Sequence, residues 1–170
     1  MQFLIGNGPM QTTTAFAKVA TGATIKTMLQ VLPLVPMRIV EWGCSFDASA
    51  AATPGQVELI DTGAVAGTVT ASVAADLTQY DAEALLFNAN ATFFTLSTSG
   101  TGYTCTSEGT ITAVRNLAGP QLIAPTNQFI EQFPLGYRPL VPGTTANKIM
   151  RIRMTFGTTV NTYCYVIVEV

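Results

Sequence analysis

The chain has 170 residues, eight Lys and Arg against ten Asp and Glu, a net charge of −2 and no histidine. That length fits one domain, large enough to bury a core without disulfide or metal staples. The missing histidine removes the commonest general base, proton shuttle and metal ligand near neutral pH, and scattered basic residues offer no concentrated positive field for nucleic acid.

Only 11% of residues are charged, against about a quarter in an ordinary globular domain. With a mean hydropathy of +0.37, either Thr, Ser, Asn and Gln wet the surface or partners cover much of it; the second is the larger effect expected. No apolar run reaches the roughly 18 residues of a membrane-spanning helix, since Pro33 and Pro36 break the best stretch, Met28 to Met37. The start, Met1-Gln2-Phe3-Leu4-Ile5, lacks the basic lead of a secretion signal, so a cytoplasmic origin is expected.

In chain order, residues 1–13 read as an N-terminal arm: Phe3, Leu4 and Ile5 precede a flexible Gly-Asn-Gly-Pro, and the segment is either a frayed terminus or docks these side chains on a neighbouring subunit. Residues 14–170 read as a single β-sandwich domain. Period-two alternation predicts strands at Thr14–Val19, Thr24–Leu32, Arg38–Asp47, Gln56–Asp61, Gly67–Ala74, Ala91–Ser97, Gly102–Ser107, Gln128–Phe133, Lys148–Phe156 and Val160–Val170. Turn clusters such as Thr53-Pro54-Gly55 and Val141-Pro142-Gly143 separate most of them. Asp81 to Asn88 is the one short helix expected.

In the strand from Arg38, the residues Val40, Trp42, Cys44 and Phe46 share one face, the core side. In Lys148–Phe156, Met150, Ile152, Met154 and Phe156 oppose Arg151 and Arg153. The last strand is apolar on both sides, with Tyr163, Tyr165 and Ile167 against Cys164, Val166, Val168 and Val170. Such a strand has to be covered twice, by its own core and by a second layer or a neighbouring subunit. Gly157-Thr158-Thr159 is expected to join the last two strands as a hairpin with Met154 opposite Tyr163, the register that keeps each face uniform.

Catalytic patterns are missing. Ser-His-Asp and Cys-His arrangements need histidine. The glycine pairs at 6–8 and 100–102 are not followed by Gly-Lys-Ser/Thr and are no phosphate loop. Glu41 and Asp47 share a strand face but lie about 20 Å apart at a strand's rise, too far for a glycosidase pair. Asp76, Asp81 and Glu83 lack calcium-loop spacing. Cys44, Cys105 and Cys164 read as buried free thiols. No catalytic residue, cofactor or metal is expected. Asn127–Pro139 mixes apolar anchors with Tyr137 and Arg138, and reads either as an interface loop or as a loop folded on its own sheet.

Several blocks resemble a known group: Val40-Glu41-Trp42-Gly43, Ser45-Phe46-Asp47, Ala50-Ala51-Ala52-Thr53-Pro54 and Val57-Glu58-Leu59, then Thr101-Gly102-Tyr103-Thr104, Glu108-Gly109-Thr110, Pro125-Thr126-Asn127, Gln132-Phe133-Pro134-Leu135-Gly136 and Arg151-Ile152-Arg153. Over residues 38–170 the chain resembles small β-sandwich virion structural proteins of tailed phages, especially actinobacterial phages. The resemblance implies a structural bacteriophage protein and no enzyme: a decoration or cement protein on the outer head surface, bound to the major capsid protein as a homotrimer. It would be made in the host cytoplasm and carried on the virion. The fold expected is all-β, a jelly-roll-like sandwich of about eight to ten strands. The interface candidates are Phe3, Leu4, Ile5, Phe129, Tyr137, Arg138, Arg151, Arg153, Tyr163 and Tyr165. A receptor- or carbohydrate-binding module of the tail and a tail-tube or connector subunit are the alternatives.

Overall fold

Alternating apolar residues between turn clusters pair antiparallel in two facing sheets. The computed structural model describes residues 1–11, 13, 15–47, 53–80, 90–111, 114–143 and 148–170. Its strands are β1 (Gln2–Gly6), β2 (Val19–Ala20), β3 (Lys26–Val31), β4 (Met37–Phe46), β5 (Gly55–Asp61), β6 (Thr68–Ala71), β7 (Leu77–Gln79), β8 (Gly102–Ser107), β9 (Arg115–Ile123), β10 (Gln128–Gln132), β11 (Leu140–Val141), β12 (Met150–Thr155) and β13 (Asn161–Glu169). One sheet runs β10-β4-β13-β1-β7, with β11 also on β4 and β2 on β13; the other runs β6-β8-β3-β12-β5-β9.

Eight of these strands are wound as a jelly roll. Taken in chain order β1, β3, β4, β5, β9, β10, β12, β13, the first pairs the last, β3 pairs β12, β4 pairs β10 and β5 pairs β9. That is one long antiparallel ribbon. Rolling it sets β13 beside β4 and β12 beside β5. The stretch between β5 and β9 adds β6 and β8 beyond β3, and β7 beyond β1.

Each sheet turns one apolar face inward. Phe3 and Ile5 of β1, Trp42 and Cys44 of β4, and Cys164, Val166 and Val168 of β13 meet Met28, Leu29, Leu59, Met150, Ile152 and Met154 in a single core. β4 changes phase on its way. The register with β13 jumps from Glu41 to Ile39, leaving Val40 as a bulge. Upstream of that bulge Ile39 and Met37 face the core, both fully buried, in place of the Val40 face expected from alternation.

Several expectations are corrected by this topology. Residues 1–13 are not a free arm: over Gln2–Gly6 they form β1, paired along its length with β13 and on its other edge with β7. Phe3 and Ile5 alternate inward and are sealed, so a neighbouring subunit has no access to them. Asn7 then pins the exit, its backbone and side chain bonded to Cys164 and Thr162. Gly157-Thr158-Thr159 is not a hairpin. It crosses between layers, because β12 and β13 belong to different sheets, so Met154 faces Lys26 and Val57 while Tyr163 faces Ser45.

Ala91–Ser97 is no strand; it begins as the helical turn Asn90–Phe93, and Phe94 makes a lone bridge to Pro33. Of the strand expected at Thr14–Val19, only Val19 among the described residues joins a ladder, in β2. Thirteen strands among the described residues exceed the eight to ten expected, since β1, β2, β7, β9 and β11 carry little alternation. The helix expected at 81–88 lies outside the described residues.

Candidate interaction surface

The outer face of the sheet containing β13 carries an aromatic strip built on glycine. Tyr163 lies over Gly6, where an added Cβ would come within 3.2 Å of the ring, and Tyr165 lies over Gly43, where it would come within 2.9 Å. The two rings stack at 5.8 Å, and Phe16 meets Tyr163 edge-on at 5.0 Å. The Tyr165 hydroxyl donates to Glu41 Oε1 at 2.6 Å, and Gln132 Nε2 donates to Glu41 Oε2 at 3.2 Å. Burial pushes the Tyr163 phenol up; burial and then the Glu41 carboxylate push Tyr165 up, so both stay neutral and apolar-bodied at physiological pH. The strip is half-covered by its own chain.

Beside it, β7, the residues after β1 and Phe16 enclose a groove of about 400 Å³ lined by Leu4, Gly8, Met10, Phe16, Asp76 and Tyr163. Its one carboxylate is already committed, because Asp76 accepts from the Met10 and Val73 N–H groups at 2.9 and 2.8 Å. The other described lining groups are mostly apolar, with Gln11 and Thr78 as the polar exceptions. Among the described residues no three His, Cys, Asp or Glu side chains cluster as a metal would require. The cysteines are sealed: Cys44 is pushed up to about 12 by burial and Cys164 is raised well above its usual value by the same cause, so neither is a thiolate nucleophile.

The most exposed apolar groups sit on the connection from β10 to β11. Leu135 is 84% exposed and Tyr137 82%. The segment holding them is tied at both ends. Phe133 N–H donates to Val40 O at 2.8 Å, Ile39 N–H to Pro139 O at 3.0 Å, and Tyr137 N–H closes a turn on Pro134 O at 2.9 Å. Gly136 takes φ +96°, which a side chain would resist, and Pro134 and Pro139 restrict what remains. Arg138 holds the base through an ion pair, Nη1 to Glu169 Oε2, at 2.5 Å. Leu135 and Tyr137 are therefore presented on a stiff turn. Ile130 and Leu140, 49% and 40% exposed, flank it.

The ten sequence candidates separate accordingly. Tyr137 is exposed on the turn, while Leu4, Tyr163 and Tyr165 lie half-buried on the outer face. Phe3 and Ile5 are core. Phe129 packs edge-on against Trp42 at 5.0 Å, and Arg138 is a strut for the turn. Arg151 and Arg153 do share the outer face of the other sheet, but neither is available for contact. Arg151 is fully buried beneath the segment around Val65 and beside Glu108, bonded to both; Arg153 pairs with Glu58. Glu108 also accepts from Thr27 N–H and Oγ1, each at 2.6 Å, and Gln30 spans Gly67 and Gly100. This polar layer fastens loops to the sheet. Leu135 was not singled out, although the bracketing prolines of Pro-Leu-Gly-Tyr-Arg-Pro were the available signal of a rigid, displayed turn.

Compared with known proteins, the chain matches no family model, no curated protein and no solved structure.

Proposed function

We propose that the protein is a structural component of a tailed-phage virion, a decoration or cement subunit made in the host cytoplasm that coats the outer head surface by binding the major capsid protein. The observation that carries this reading is the clamped turn at 134–139, with two large apolar side chains more than four-fifths exposed. Pre-ordered aromatic and aliphatic anchors lose little entropy on docking and act as interface hot spots. The jelly roll supports the reading as a fold common in capsid proteins, an analogy that does not assign function by itself. Many modest contacts repeated over a shell give firm attachment without large single interfaces. The Tyr163–Tyr165 strip does not favour a sugar-binding tail module, which needs an open aromatic face, because Phe16 meets Tyr163 edge-on at 5.0 Å.

The test is co-sedimentation with heads assembled without the protein, followed by negative-stain imaging. Wild-type chain is expected to pellet with heads and add density to their outer surface. Leu135→Ala/Tyr137→Ala is expected to keep its thermal midpoint and lose most binding. Failure of the wild type to bind any head surface would sink the proposal; full binding by the double variant would remove the turn from it.

A further inference from the structure

Among the described residues, the strands that end the main path of each sheet are not equally protected. β9 contains Pro120 after a cis peptide and two register breaks against β5; β6 is four residues long with a break against β8; β7 has three residues. Proline, bulges and brevity are the usual defences against strand addition. β10 has none of them. Its five residues pair with β4 without a break, and it ends the sheet.

The free side of β10 can be specified. Phe133 N–H donates to Val40 O on β4, and backbone groups alternate along a strand, so the N–H and C=O of 129 and 131 also point to β4. Those of Gln128, Ile130 and Gln132 point away, toward no strand among the described residues. Their side chains are the exposed ones, on the sheet's outer face.

We infer that β10 pairs antiparallel with β10 of a second copy of this chain, about a two-fold axis through Ile130. In the segment Gln128-Phe129-Ile130-Glu131-Gln132 the three outward-bonding positions, Gln-Ile-Gln, read the same in both directions. With Ile130 opposite Ile130, Gln128 of each copy faces Gln132 of the other, and all three pairs are of the hydrogen-bonded kind, giving about six backbone bonds. Ile130 gains an apolar cross-strand partner and the glutamines gain amide partners. The one charge, Glu131, falls opposite Phe129, and its carboxylate already accepts from Trp42 Nε1 at 2.9 Å. No like charges oppose, and the contact is isologous, as a two-fold demands. It gives a dimer in place of the trimer expected from the sequence, and it stands whether or not the protein binds heads.

A five-residue seam is small, so association on the order of ten micromolar is expected for the free chain. Sedimentation of the full chain from about 1 to about 500 µM should show a monomer–dimer equilibrium. Ile130→Lys and Ile130→Glu, at an exposed position, should each fold normally by circular dichroism and weaken the dimer by about tenfold or more, through like charges at the axis. Mixed together they should restore it as a heterodimer. Ile130→Cys should cross-link to a disulfide dimer under mild oxidation, since hydrogen-bonded partners lie about 5.5 Å apart; Gln128→Cys should not, although a mixture with Gln132→Cys should. A wild type that stays monomeric, forms a trimer, or dimerises undisturbed by both charges overturns the inference. So does a monomer in which Ile130→Lys abolishes only head binding, which would make a foreign strand the occupant.

Discussion

Phe3 distinguishes a strand from an arm. Its side chain is fully buried, with its ring 5.4 Å from Phe94 and 5.8 Å from Phe93, inside the core that β1 shares with β13. Truncation to alanine removes that apolar area and leaves a hole that a β-sandwich fills poorly, at about 3–5 kcal/mol. Against a total stability of about 5–15 kcal/mol, and at about 2–4 °C per kcal/mol for a chain of this size, the thermal midpoint should fall by about 6–20 °C. Leu4→Ala, one position along and on the outer face, should cost about 1 kcal/mol or less. Urea unfolding followed by the fluorescence of Trp42, the sole tryptophan and fully buried, reads both. A Phe3→Ala variant within about 1 kcal/mol of wild type would refute the argument and return residues 1–6 to the role of a tether.

The polar layer over β12 makes a second prediction, on the order of two variants. Glu108→Ala strands the guanidinium of Arg151, whose side chain is fully buried, and is expected to cost about 3–5 kcal/mol, whereas Arg151→Met removes the charge itself and costs less; equal losses would count against the account. Stability should also respond to pH on the alkaline side alone above neutrality. Burial raises Cys44, Cys164, Tyr163 and Tyr165 above ordinary values near 9 and 10, so the unfolded chain releases its protons first. That stabilisation is complete below the ordinary values and is lost as pH climbs through them. With no histidine in the chain, the midpoint should stay level from about pH 6 to 8 and fall beyond about 9; a drop between 6 and 8 would contradict it.

Period-two alternation found the strands that line the core because one wet and one dry face leave a written record. β3, β6, β8, β10, β12 and β13 all fall within predicted segments, and β4 and β5 each start one residue before theirs. What it cannot record is which sheet a strand joins. Met154 and Tyr163 look like hairpin partners in sequence, and the chain instead steps across the core between them, burying Phe156 and Val160 on the way. β1 was missed as a strand for a related reason: five residues show too little alternation, and Gly6, Gly8 and Pro9 mimic a tether. Gly6 in fact makes room for the Tyr163 ring. Arg151 and Arg153 illustrate the opposite error. Alternation put them on the outer face correctly, but the loop that roofs that face comes from residues around 65 and 108, far away in sequence.

The shortage of charge can now be traced to where the charges went. The chain has eight basic side chains, and each finds an acceptor on the same chain. Lys18 pairs with Asp47, Arg115 and Lys148 with Asp61, Arg138 with Glu169, Arg151 with Glu108 and Arg153 with Glu58. Lys26 donates to Ala20 O and Arg38 to Arg138 O. Glu41, Asp76 and Glu131 are bound in turn by Tyr165, the Met10 and Val73 amides, and Trp42. Among the described residues this leaves for a partner chiefly shape, apolar anchors such as Leu135 and Tyr137, and amide groups such as those of Gln128 and Gln132. Contacts of that kind are screened little by salt, whereas steering by exposed charge decays over a Debye length of about 10 Å at 0.1 M. Self-association of the wild-type chain should therefore change by less than about threefold between about 0.05 and 0.5 M sodium chloride. A loss of tenfold or more over that range would mean that charges, not the seam, hold copies together.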